Sequence, residues 1–223
     1  LFSNTTGNCN IAIGEATMYN NTTGSQNTAI GIRAMLCNTT GANNAAVGYQ
    51  ALYLNTIGWN NTAYGYQALY NNNANGNTAS GCGSLRGNTT GIDNTALGIQ
   101  SLCANTTGYC NTASGSYALR DNTTGHRNTA VGTKSLYLNT TGNFNTASGW
   151  AALCVNTTGC RNTAVGTQAL RDNTTGLNNT ATGYASLWAN TTGTRNTASG
   201  EYALFYNTTG SCNTAVGNHT LRQ

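Results

Sequence analysis

Eight cysteines, two histidines and five carboxylates carry most of this chain's potential for chemistry, and their spacing decides what they can do. A zinc site built from local sequence would use a C-x-x-C pair, and none occurs. The histidines, His126 and His219, fall at different positions of the repeat that organises the chain. Acid–base work by two carboxylates needs them to face one another within several Å. Glu15, Asp93, Asp121, Asp172 and Glu201 are dispersed; Asp121 and Asp172 share a repeat position three repeats apart, and Glu15 and Glu201 share another eleven repeats apart. Stacked at ~4.8 Å per layer, the two aspartates would stand about 14 Å from each other. The expectation is a chain without catalytic residues, metal or cofactor, and so not an enzyme. Cys103 with Cys110, and Cys154 with Cys160, flank the same type of four-residue corner and are placed to staple it. The alternative for all eight cysteines is a free thiol at the surface or between chains.

The polymer that positions these groups has an unusual composition. Only 6% of the 223 residues are charged and none is proline, while 36 Asn, 40 Thr and 28 Gly make up almost half of it. Too few large aliphatic residues remain for an ordinary globular core. Typical disorder is also excluded, because it comes with high net charge or abundant proline. No apolar run approaches the ~20 residues of a membrane span, so no membrane insertion is expected. The net charge of +4 comes from nine scattered basic residues. Nucleic-acid binding asks for a clustered basic face, so that partner is not expected.

A single 17-residue pattern, N-T-T-G-x-x-N-T-A-x-G-x-x-A-L-x-x, runs through residues 1–223 as one continuous repeat domain. Its thirteen units start at Asn4, Asn21, Asn38, Asn55, Asn72, Asn88, Asn105, Asn122, Asn139, Asn156, Asn173, Asn190 and Asn207. Both Asn, the Ala of N-T-A and the Gly that follows never change, whereas positions 5, 6, 12, 13, 16 and 17 accept almost anything. That contrast separates a fixed frame from a free surface.

The frame is too short for a helical-hairpin repeat and rich in poor helix formers. It predicts an all-β fold, a parallel β-solenoid (β-roll or β-helix) of 17 residues per coil and about thirteen coils, with two or three short strands in each. Alternation places Ala inside with Leu. The glycines at positions 4 and 11 serve positive φ or close approach at corners. The two Asn columns stack as amide ladders. The 16-residue unit beginning at Asn72 should be a local irregularity that spares the ladder. One Leu per coil is a thin core, about 1.5–3 kcal/mol when buried. Lateral packing is therefore expected, and the chain reads as part of a longer or assembled filament.

The residue after the strand Ala runs Ser80, Leu97, Ser114, Val131, Ser148, Val165, Thr182, Ser199, Val216, an alternation of small polar and larger apolar groups broken at Thr182. A face against water has no use for such valines. The expected self-association face therefore contains Thr129, Val131, Thr163, Val165 and Val216; duplication of a two-unit segment is the alternative origin of the alternation. Outward Thr ranks also raise ice binding, although only Thr180 and Thr182 form a true T-x-T. Eleven Asn-Thr-Thr sequons arise from the repeat itself. Aromatics such as Tyr66, Trp150, Trp188 and Phe205 sit at free positions and suit glycan or protein contact, or contact between packed filaments.

Asn10-Ile11-Ala12-Ile13-Gly14 and Asn27-Thr28-Ala29-Ile30-Gly31 resemble the N-x-A-I-G core of trimeric autotransporter adhesin heads. The longer N-T-A-V-G-x-x-A-L-x-x-N-T-T-G run is similar to repeats of bacterial and phage tail-fibre-like proteins. The resemblance implies a left-handed β-roll, three of which pack through outward apolar residues. Here the unit is longer than the adhesin repeat, and the seam residue is Ser at Ser80, Ser114, Ser148 and Ser199. No binding residue carries over. The resulting expectation is a structural or adhesive fibre, extracellular or at the cell surface. Its partners would be other copies of itself, as filament or trimer, and a host or surface glycan or protein. Ice binding is the alternative.

Overall fold

Thr-Ala-x between an Asn and a Gly is long enough for one three-residue strand, and every repeat forms one. A computed structural model describes residues 1–222. It contains thirteen strands and, among the described residues, no helix. The chain is organised as two compact units, Leu1–Cys110 and Asn111–Gln223, built from the same coil. The first holds β1 (Ile11–Ile13), β2 (Thr28–Ile30), β3 (Ala45–Val47), β4 (Thr62–Tyr64), β5 (Thr78–Ser80) and β6 (Thr95–Leu97), paired in parallel in chain order. The second holds β7 (Thr112–Ser114), β8 (Thr129–Val131), β9 (Thr146–Ser148), β10 (Thr163–Val165), β11 (Thr180–Thr182), β12 (Thr197–Ser199) and β13 (Thr214–Val216), paired likewise. In every pairing Ala faces Ala, so each coil repeats the last without slippage. The fold is a parallel β-solenoid, with one strand per coil rather than the two or three expected.

The rest of each coil is made of bends whose hydrogen bonds run between rungs. The backbone N–H groups of Thr123, Thr124 and Gly125 all converge on the Thr140 carbonyl at 3.0, 3.2 and 3.3 Å. The Thr123 hydroxyl donates to the same oxygen at 3.0 Å. The corners also depart from sequence expectation. The Gly of position 11 has φ of 119 to 140°, but non-glycine residues at positions 6, 13 and 15 are left-handed too. The buried Leu column itself lies at φ 49 to 52°. Such a conformation costs roughly 1–2 kcal/mol for an L-residue. It is held because it turns the peptide toward a neighbouring rung: Leu136 N donates to Ala152 O at 3.0 Å and Lys134 N to Ser116 O at 3.0 Å.

The core is the predicted one. Apart from Ala12 and Leu221 in the end coils, the inward Ala of each strand and the Leu or Met of position 15 are buried, joined by the inner members of both Asn columns. Asn139 Nδ2 donates to Asn122 Oδ1 at 2.8 Å and to its own corner carbonyl, Gly142 O, at 3.0 Å. In the other column, Asn162 Nδ2 donates to Asn145 Oδ1 at 3.3 Å and to Gly176 O at 2.8 Å. Its own Oδ1 accepts Asn179 N at 3.0 Å and Asn179 Nδ2 at 3.2 Å. Among the described residues no buried side-chain N or O lacks a partner, which is how so polar an interior avoids its desolvation cost.

The short unit at Asn72 shows how strictly this scheme is kept. One corner residue is missing, and Asn73 Oδ1 replaces the lost carbonyl, accepting Thr56 N at 3.0 Å, Ile57 N at 3.0 Å and Thr56 Oγ1 at 2.9 Å. The ladder stretches to 3.5 Å at Asn72–Asn55 and recovers to 2.7 Å at Asn88–Asn72. The irregularity is local and the ladder survives.

Candidate functional site

Because Ala of each strand points inward, its two neighbours point out, and a parallel register lines them up rung on rung. In the second unit Thr129 and Thr163 both sit beside Thr146, while Val131 and Val165 both sit beside Ser148. Val216 pairs with Ser199 at the other end of the same face. The five residues expected to form one face therefore do share one. Val131, Val165 and Val216 are 44%, 41% and 70% exposed, large values for valine on a regular sheet. The Thr column differs chemically from the one at the corner. Corner hydroxyls are spent on carbonyls of the next rung, as at Thr140–Thr157 and Thr157–Thr174, both 3.1 Å. Among the described residues, the Thr129, Thr146 and Thr163 hydroxyls have no protein partner. The face thus offers methyls and free hydroxyls in a regular array.

Comparison with protein-family models, with curated proteins and with solved structures returned no match to this chain.

The groups with potential for reaction are spread out or already engaged. Asp121 accepts two bonds from Arg120, 2.7 Å from Nε and 2.8 Å from Nη2. Asp172 is 3.7 Å from Arg171, yet burial raises its pKa against the lowering influence of that arginine. His126 meets the edge of Phe144, and His219 Nδ1 lies 3.1 Å from Arg222. Among the described residues no three His, Cys, Asp or Glu side chains lie close enough to hold a metal ion.

All eight cysteines are free thiols, so the staples expected for Cys103–Cys110 and Cys154–Cys160 are not formed. The Cys160 thiol instead donates to Thr158 O at 3.3 Å and accepts Asn143 N at 3.3 Å, within its own corner and the preceding one. Burial raises the thiol pKa of Cys154, outweighing Arg171 and Lys134, and also that of Cys37. The thiolate is the reactive form. Iodoacetamide at neutral pH should therefore label the exposed Cys82 and Cys110 several-fold faster than Cys37 and Cys154. Site-resolved mass spectrometry reads the rates, and equal labelling would contradict the burial described.

Two other sequence features acquire a physical reading. The sequon asparagines from Asn21 to Asn190 are buried, with Nδ2 committed to the ladder, so glycosylation is incompatible with the folded coil. Many variable aromatics use their faces on one another: Tyr53–Tyr70 stack at 5.0 Å and Trp188–Phe205 at 5.1 Å, with Arg171 5.0 Å from the Trp188 ring centre. A stacked face is not free for a sugar ring.

The cations are less scattered than they look in the sequence. The second unit holds seven of the nine basic residues and three of the five acids, and so the whole charge of +4. Arg127, Arg161 and Arg195 fall at one repeat position with almost identical backbones, φ 54, 57 and 55°. Their spacing of two repeats was the available signal, hidden because position 6 varies freely from unit to unit.

Proposed function

We propose that this chain is a non-enzymatic, extracellular or cell-surface fibre segment. It is a rigid solenoid that associates with other copies of itself and displays variable side chains. The observation that carries this reading is the strand face. Three valines stand exposed, Val131 and Val165 two rungs apart around Ser148 and Val216 three rungs further on, a pattern a solvent-only face would not need. Burying one such valine is worth roughly 1.5–3 kcal/mol, and a face repeats the gain at each valine rung. Large and small rungs on a second copy, offset by one, would interlock as knobs and holes. The likeness to adhesin heads and tail-fibre repeats points the same way. A surface glycan or protein would be the further partner of such a fibre.

Replacing Val131, Val165 and Val216 together with Lys tests this. The substitutions lie outside the core, so the β-type circular dichroism should persist while assembly, read by sedimentation velocity, is lost. A triple variant that assembles like the unmodified chain would overturn the reading. Ice binding is the second reading, supported by the partner-free Thr hydroxyls repeated at ~4.8 Å on a regular sheet. It predicts thermal hysteresis from a monomeric protein, whereas the fibre reading predicts none.

A further inference from the structure

The corner opposite in chemistry to the valine face is cationic. Arg127, Arg161 and Arg195 are exposed and leave identical backbone positions, so their guanidinium groups form a row with a spacing of two rungs, about 9.6 Å. The Phe144 ring lies between the first two, 5.4 Å from the Arg127 guanidinium carbon and 5.9 Å from that of Arg161. It holds both by cation–π attraction without neutralising either. The acids of this unit are elsewhere. Asp121 and Asp172 pair with Arg120 and Arg171 at positions 16 and 17, and Glu201 sits at position 12. The row therefore gathers three of the unit's seven cations at one repeat position. Each corner also exposes a threonine, as at Thr124, Thr158 and Thr192, adding hydroxyls along the same edge.

We propose that this row binds an extended acidic polysaccharide carrying one carboxylate per disaccharide. In an extended β-linked chain, consecutive carboxylates of that kind are separated by one disaccharide, a length close to two rungs. Each could therefore meet a guanidinium in fork geometry while the intervening sugar spans the uncharged rung. Nucleic acid fits worse. A strand stacked as in a duplex presents a phosphate every ~3.4 Å, so most of its charge would fall between the arginines. Three equivalent contacts on a rigid scaffold give avidity without any one being strong. The row does not use the valines, so this inference stands or falls separately from assembly.

The test is fluorescence anisotropy with a labelled hyaluronan decasaccharide on the full chain. Comparators are its carboxyl-reduced neutral form and a labelled single-stranded oligonucleotide of similar length. Arg127→Gln/Arg161→Gln/Arg195→Gln should weaken decasaccharide binding about tenfold or more. Arg120→Gln/Arg171→Gln/Arg222→Gln removes the same formal charge from another column and should change it less than about twofold. Sedimentation and circular dichroism of each variant show that fold and assembly are unaltered. The proposal is overturned if the unmodified chain does not bind, if both triple variants lose affinity equally, or if the neutral sugar or the oligonucleotide binds as tightly.

Discussion

Asn162→Asp is expected to destabilise the coil by about 3–5 kcal/mol at neutral pH, the cost of a buried charge without a partner. The change is nearly isosteric, so packing is not the cause. Asn162 Nδ2 donates to Asn145 Oδ1 and Gly176 O, and an oxygen in its place would face two acceptors. The substituted carboxyl is held neutral by its surroundings, so its folded-state pKa rises above the unfolded value near ~4. Below that unfolded value the acid is protonated in both states and the electrostatic penalty is absent. The penalty grows as pH rises from the unfolded to the folded pKa and is constant above both. Denaturant unfolding followed by circular dichroism should thus show the variant recovering much of its deficit in acid. Asn162→Ala should cost about 2–4 kcal/mol with no comparable pH dependence, because it strands the buried donors of Asn179 without adding charge. Equal stability of the Asp variant at neutral and acid pH would mean that the ladder is not buried as described.

Gly132→Ala is expected to cost about 3 kcal/mol or more. Its φ of +119° lies in a region that side chains rarely adopt, and an added methyl would sit 2.7 Å from Gly149 O and 2.8 Å from Gly149 C. Strain of this kind alone is worth roughly 1–3 kcal/mol, and the clash is with backbone that every other rung holds fixed. Gly83→Ala is the matched control. Its φ is +65°, the nearest foreign atom is Gln100 Cγ at 3.6 Å, and alanine already occupies that repeat position at Ala151 and Ala185. It should change stability by less than about 1 kcal/mol, helped by a more restricted unfolded state. If the two substitutions cost the same, the close rung-to-rung approach at position 11 is not what keeps it glycine.

These contrasts also show where sequence reasoning reached and where it stopped. The ladders, the inward Ala and Leu, and the fixed glycine of position 11 were legible because thirteen units act as an internal comparison, in which groups with an inside function stay constant or nearly so. The left-handed Leu136 and Lys134 were not. Local preference assigns positive φ to Gly or Asn, and it gives no hint that inter-rung hydrogen bonds override that preference at a Leu. The expectation of two or three strands per coil failed for the same reason: bends bonded to neighbouring rungs replace the extra strands. Of the candidate site, the valine face was legible from the alternation between Ser114 and Val165. The arginine row was missed because nine cations spread over 223 residues look random until the coil brings every second repeat into one column. The corner disulfides failed because flanking a corner in sequence does not bring Cys154 and Cys160 into a bond, and Cys160 has nearer partners.

Assembly of the amide-laddered solenoid through its outward strand face, as proposed, is read by sedimentation velocity of the unmodified chain across a wide concentration range. The expected distribution moves to larger species as concentration rises. A single monomeric species at every concentration, accompanied by thermal hysteresis, would contradict it.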